Sequence, residues 1–252
     1  VSRARDREPL DLSRPVAAGV PVWPGDTAYD YRMVARIRDG AAVNVGAVTM
    51  SVHTGAHADA PLHFDDAGAD VASVALSKYV GPCVVARVRP RAKGILPSDL
   101  PRGTDARLRR APRLLLRTYE ERPAAFDEGM AHLTPELADH LAGLGVVLVG
   151  LDTDSMDAFD SKDLPSHRRL ASSGIAILEG LDLSRARPGV HFLVALPLRL
   201  VGADASPVRA VLLPAAPAVR RATGRGARRA RGRDGGRSAR RPRRGARRTR
   251  RR

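Results

Sequence analysis

Three histidines and one aspartate crowd into eleven residues. They are His53, His57, Asp59 and His63, in the segment Ser51-Val52-His53-Thr54-Gly55-Ala56-His57-Ala58-Asp59-Ala60-Pro61-Leu62-His63-Phe64. The whole chain has only seven histidines, so the local density is far above background. Neutral imidazole and carboxylate are the common donors for zinc and similar divalent ions. An ion held by such groups activates water and polarises carbonyl oxygens.

Spacing constrains how these groups can meet. On an ideal helix the four side chains would spread over almost half the circumference, and Gly55 and Pro61 would weaken that helix. On a strand the offsets of 4, 6 and 10 are all even, so the four would share one face. Fully extended, however, His53 and Asp59 would stand about 20 Å apart. Donors on one ion, each at about 2 Å, lie within about 4 Å of one another. The chain must therefore fold back. Gly55 is the natural pivot, and the spacing predicts a strand ending in a tight ligand-bearing loop. Ordinary hydrogen-bonded loop residues would be the simpler reading for one histidine, but not for this cluster.

The elements that must position this segment read as a mixed α/β domain. Residues 43–52 are rich in Val and Thr and alternate in part, which predicts a strand running into His53. Residues 83–88, 114–119 and 146–151 are short apolar runs of the kind found in buried strands. Thr134-Pro135-Glu136 is a helix start, with a capping hydroxyl, a proline in the first turn and an acid near the positive dipole end. Leu137, Leu141 and Leu144 supply its apolar stripe, and Gly145 its end. A second helix is expected within 161–172, and strands near 175–181 and 191–201. No internal repeat is present.

Composition narrows the setting. With 252 residues the chain can bury an ordinary core. No apolar run is long enough to span a bilayer. Residues 1–9 are charged and lack the apolar stretch of a signal peptide. The single cysteine, Cys83, precedes an apolar run and reads as a core thiol, consistent with a reducing, cytoplasmic setting. The net charge of +16 resembles a nucleic-acid signal, but its location does not. Residues 214–252 carry seventeen arginines against one acid, Asp234, so the body of the chain is electrically neutral. Of these 39 residues, 34 are Arg, Ala, Gly or Pro, so the tail cannot build a core and is expected to be disordered. Three readings stand for it: an arm that binds nucleic acid, a solvated extension, or wrong-frame read-through of a G+C-rich gene. The expected organisation is an N-terminal extension over 1–10, a metal-hydrolase domain over 11–213 and the tail over 214–252.

The pattern His53-x-Gly55-x-His57-x-Asp59-x-Pro61-x-His63 resembles the signature of the cyclase-type metal hydrolases. Within them, the chain is most similar to the bacterial kynurenine formamidases (arylformamidases). The likeness extends over Asp11-Leu12-Ser13, Trp23-Pro24-Gly25-Asp26, Asp160-Ser161-Lys162, Leu178-Glu179-Gly180 and Gly202 to Arg209. It implies a swivelling β/β/α fold with a barrel-like mixed sheet, flanking helices and a homodimeric assembly. It also implies two divalent ions per subunit, zinc by default or manganese. By resemblance, His53, His57 and Asp59 hold the first ion. Asp59, His167 and Glu179 hold the second. His63 is the proton donor and acceptor, and Trp23 contacts the substrate. The implied reaction is hydrolysis of N-formyl-L-kynurenine to L-kynurenine and formate. Isatin-like cyclic amides are the alternative substrates within the family.

Other residues weigh against competing chemistries. No Gly-x-Ser-x-Gly elbow is present, so a serine hydrolase is not indicated. Asp152, Asp154 and Asp157 lack the glycine and final glutamate of a calcium loop. They read as a turn supporting the metal-binding loop from behind. His132, His140 and His191 read as structural or surface residues. Ala56 stands where the family commonly has threonine, which removes a hydroxyl beside the ligands. If that change or the altered C-terminus damaged the site, the chain would be an inactive relative. The remaining alternative is a nucleic-acid binder acting through its tail.

Overall fold

Short apolar runs in the middle of the chain become the strands of a curled nine-stranded sheet in the computed structural model. The structure describes residues 8–90 and 92–213. The arginine-rich tail and most of the N-terminal extension lie outside the described residues, as does the expectation of a disordered tail.

The sheet is built around four parallel strands, β5 (Val80–Arg87), β7 (Arg113–Arg117), β9 (Leu148–Leu151) and β10 (Ala176–Glu179). Antiparallel strands extend it on both sides. Beyond β5 lie β11 (Gly189–Val194), β13 (Val211–Leu213) and β1 (Leu10–Asp11). Beyond β10 lie β4 (His57–Asp59) and β12 (Ala205–Pro207). Two small ribbons stand apart: β2 (Asp30–Ala35) with β3 (Val45–Thr49), and β6 (Gly94–Ile95) with β8 (His132–Leu133).

Both faces of the central strands are buried, which is why those strands read as unbroken apolar runs rather than as alternation. Val84, Leu114, Leu116, Val149, Leu151 and Ile177 face one apolar cluster, which also takes side chains from the helices. Cys83, Val85, Leu115, Leu148 and Leu178 face the other, with Leu12, Tyr79 and Leu212. Cys83 is fully buried, and that burial pushes its thiol pKa up to about 12, so it is a core group rather than a nucleophile.

The helices α1 (Thr104–Leu108), α2 (Pro135–Gly143) and α3 (Pro165–Ser172) cover the first cluster. The start of α2 is as expected: the Thr134 side chain accepts from the Leu137 N–H and Pro135 occupies the first turn. No helix among the described residues is long and apolar enough to cross a membrane.

Two strand expectations are corrected. The run 43–52 is a strand only over Val45–Thr49, and it pairs with β2 rather than leading straight into the ligands. Turns over 52–56 intervene. The run 191–201 stops at Val194: Pro197 lacks an N–H for the ladder, and the Leu198 N–H turns to the Ser206 hydroxyl instead.

One close approach holds the sheet to the ligand segment. Gly180, just after β10, has φ +67° and lies flat against Gly55. A Cβ there would stand 2.0 Å from the Gly55 carbonyl oxygen. Gly180→Ala should therefore destabilise the protein by about 2 kcal/mol or more, since both strain and backbone collision oppose it. Urea denaturation checks this, and an unchanged midpoint would refute the packing argument.

Candidate metal centre

The ligand segment folds back at Gly55, which takes φ +69°. The donors after this turn sit on a three-residue strand rather than in a loop. β4 lies between β10 and β12, with His57 opposite Glu179 and Asp59 opposite Ile177. Alternation along β4 sends the His57 and Asp59 side chains to one face. Ala56 and Ala58 pack in the apolar cluster on the other. A hydroxyl at position 56 would thus meet the apolar core rather than the carboxylate of Asp59.

Five predicted residues converge. His53 Nδ1 lies 3.2 Å from Asp59 Oδ1, and His57 Nε2 lies 3.4 Å from the same oxygen. His57 Nε2 is also 3.4 Å from Glu179 Oε2. On the other side, His167 Nε2 lies 3.6 Å from Asp59 Oδ2 and 3.1 Å from Glu179 Oε1. The donors form two groups, His53–His57–Asp59 and Asp59–His167–Glu179, that share Asp59. Donor spacings of about 3–4 Å are what ligands at about 2 Å from a common cation would show.

The burial of these groups tests whether a cation fits. His57, Asp59, His167 and Glu179 are almost wholly buried. Six buried side-chain polar atoms among the described residues lack a hydrogen-bond partner, and four of them are here: His57 Nε2, both Asp59 oxygens and His167 Nε2. Such orphaned groups are costly, and a divalent ion in each of the two donor groups would satisfy all four.

The outward atoms of the imidazoles are held. His57 Nδ1 lies 3.0 Å from the Gly55 carbonyl, to which it donates. His167 Nδ1 lies 2.7 Å from Asp157 Oδ2. Asp157 in turn accepts from the Ser166 and His167 backbone N–H groups at the start of α3. The acidic turn therefore supports His167 rather than the loop at 53–57. Its other members have separate tasks: Asp152 ties down Thr118 and Tyr119, and Asp154 pairs with Arg122.

Asp204 was not among the predicted site residues. Its Oδ2 lies 2.9 Å from His53 Nε2 and 3.1 Å from His63 Nδ1. It sits 141 residues beyond His63 and has no local motif of its own, so only its membership of the run 202–209 hinted at it. His63 is not buried with the donor cluster; it is exposed, in the short 3-10 turn Pro61–His63. His140 pairs with Asp105 and His191 with the Arg187 carbonyl, whereas His132 lies in β8.

A cavity of about 330 Å³ opens onto the cluster, lined by His53, His57, His63, His167 and Glu179. Trp23 forms part of its wall and is braced by Phe126 and Phe159 at ring-centroid distances of 5.3 and 5.2 Å. The Trp23 turn is fastened to the ligand segment, because the Ser51 hydroxyl donates to Asp26 and accepts from the His53 N–H. Leu164, also in the wall, is the one non-glycine residue with positive φ (+45°) among the described residues. For such a residue the left-handed region costs about 1–2 kcal/mol.

Electrostatics follow from the crowding. Burial opposes charging of His57, yet the carboxylates of Asp59 and Glu179 raise its pKa well above 6.5. For His167, burial is likewise outweighed by Asp157, Asp59 and Glu179. Asp59 and Glu179 are held below their ordinary values by the same imidazoles, despite burial.

Proteins of similar sequence and fold include metal-dependent hydrolases. Residues 10–158 match the family model for cyclases, described as "Putative cyclase". The chain is similar to a solved structure described as a potential metal-dependent hydrolase with cyclase activity: 28% identity, TM-score 0.69, covering 83% of this chain and 99% of that one. It is similar also to a predicted metal-dependent hydrolase from Bacillus stearothermophilus: 28% identity, TM-score 0.66, covering 82% and 98%. At 21% identity and TM-score 0.70, isatin hydrolase A from Labrenzia aggregata, bound to benzyl benzoate, shares the fold over 84% of this chain and 95% of its own.

The raised imidazole values set a pH dependence. In the metal-free protein their stabilising contribution is complete below pH 6.5 and is lost as pH rises through the raised folded values. The carboxylate contribution is present above their ordinary values of 3.8 and 4.5 and is lost as pH falls through the depressed ones. A cation must displace the imidazole protons, so its affinity should rise at least about tenfold between about pH 6 and pH 8. Calorimetric titration with zinc checks this, and a flat profile would contradict it. Asp59→Ala should empty both donor groups, as read by elemental analysis.

Proposed function

The chain belongs to the cyclase family of metal-dependent hydrolases, and from that premise we propose that it hydrolyses N-formyl-L-kynurenine to L-kynurenine and formate. The observation that carries this reading is the cavity itself, where the only tryptophan of the chain shares a wall with the donor cluster and His63. A rigid indole, braced by two phenylalanines, suits a flat aryl group beside the scissile amide. Asp26, Asp154 and Lys162 line the same cavity and offer both signs of charge, as a substrate bearing an α-amino acid requires.

In this reading His53, His57 and Asp59 hold one divalent ion and Asp59, His167 and Glu179 a second, zinc by default or manganese. Bound there, the ions supply Lewis-acid activation of water and of the formyl oxygen. The protein's own groups do the rest. Trp23 orients the aryl ring. Water adds to the formyl carbon and gives up a proton to His63, the C–N bond breaks, and His63 returns that proton to the departing aryl nitrogen. Asp204 engages His63 Nδ1, which leaves Nε2 for that transfer. An aniline-type nitrogen leaves more readily than an alkyl amine, so no serine or cysteine nucleophile is needed. A homodimer is the proposed assembly, and 11–213 the catalytic domain.

Turnover of formylkynurenine and of isatin on one metal-loaded preparation tests the substrate. Preference for isatin would give the site to cyclic amides instead. His63→Ala should keep its metal and lose roughly 100-fold or more in kcat, and full activity would remove His63 from its role. Every residue of the proposed site lies between 23 and 204. Truncation after residue 213 should therefore leave kcat and KM unchanged, and a dead truncation would sink the proposed domain limits.

A further inference from the structure

Leu164 holds a backbone conformation that leucine resists, at φ +45° and ψ +55°. The surrounding chain fixes it there. Its N–H donates to the Ser161 hydroxyl and its carbonyl accepts from the Arg168 N–H. Pro165 then opens α3, whose next two N–H groups are tied to Asp157. Glycine or asparagine would occupy this position with little strain, so the leucine side chain must return something for it.

Core packing does not account for that return. Leu164 is only half-buried and belongs to neither apolar cluster. It lies instead in the wall of the cavity over the donor cluster. The apolar lining of that cavity comes from just two segments, Pro21-Val22-Trp23 and Leu164. The remaining lining residues are polar or charged. We propose that Leu164 is a specificity-determining residue: the second apolar wall, paired with the Trp23 segment, that selects a planar aryl group over an alkyl chain. The inference rests on the aryl-amide reading above and adds the residue that enforces it. Strain at Leu164 is then the cost of placing a branched apolar group at the start of the helix that carries His167.

Leu164→Asn tests this, since asparagine tolerates the left-handed region, is similar in size and is polar; Leu164→Gly is the companion variant. Three quantities are read on metal-loaded protein. The first is kcat/KM for formanilide against N-butylformamide. The second is anthranilate binding, followed by quenching of the single tryptophan, Trp23. The third is the melting temperature. Both variants should lose about tenfold in the aryl-to-alkyl ratio and about tenfold in anthranilate affinity, with the melting temperature not lowered in Leu164→Asn. An unchanged ratio with unchanged anthranilate affinity would overturn the proposal. So would a lowered melting temperature with the ratio intact, which would make Leu164 a packing residue. If the wild type hydrolysed neither formamide, the functional reading would fail while anthranilate binding still decided the role of Leu164. Absence of quenching in the wild type would overturn the two-walled cavity.

Discussion

Everything near the site is arranged around one buried carboxylate. The Asp59 side chain has no exposed surface, and neither of its oxygens has a hydrogen-bond donor. A carboxylate in that position is tolerable only if positive charge surrounds it. Three imidazoles supply it in the metal-free protein, and Glu179 stands close enough to make the negative charge worse. Three charged imidazoles suffice to balance the two carboxylates, but imidazoles that act as ligands must be neutral, and the donor set then holds two buried carboxylates with no positive charge beside them. That deficit is the physical reason a divalent cation, rather than a neutral ligand, would complete it.

The fold meets this demand through the alternation of strands. Because β4 is paired on both sides, its backbone needs no water. Its even and odd side chains divide cleanly between an apolar cluster and the donor cluster. The antiparallel register with β10 then sets Glu179 against His57 without any further device. Gly180 permits this only because it has no side chain where Gly55 crosses. A single register thus fixes three donors, and the turn at Gly55 brings in the fourth, His53.

How far the sequence reveals this depends on whether a feature is local. The spacing of His53, His57 and Asp59 and the pivot at Gly55 lie within seven residues, and they were legible as chemistry. The central strands were legible because burial on both faces leaves an apolar run. β4 was not, because three residues containing His and Asp show neither a run nor β-branched enrichment. Its strand character comes from its neighbours, β10 and β12. The same holds for β12 and β13, three residues each, and for β1, with two. His167 had no local context, and only family resemblance pointed to it. The hydrogen bonds that Asp204 makes to His53 and His63 span 151 and 141 residues and leave no periodic trace. The strain at Leu164 is likewise a property of the assembled loop.

Each imidazole of the cluster is also tethered at its second nitrogen, and the tethers differ in kind. His57 donates to a backbone carbonyl, His167 to the carboxylate of Asp157, and His53 to the carboxylate of Asp204. In all three the outward N–H is held, so loss of the ring's other proton would leave the lone pair on the inward nitrogen, facing the cluster. A carboxylate partner raises the basicity of its imidazole more than a carbonyl does. Asp157 is itself held by two backbone N–H groups of α3, whereas Asp204 is partly exposed and shared with His63. The His167 side of the centre is therefore the more rigidly prepared. The His53 side is coupled, through one carboxylate oxygen, to the histidine that faces the open cavity. The two sides of Asp59 thus differ in rigidity and in access to solvent, and that asymmetry follows from which partner each ring nitrogen was given.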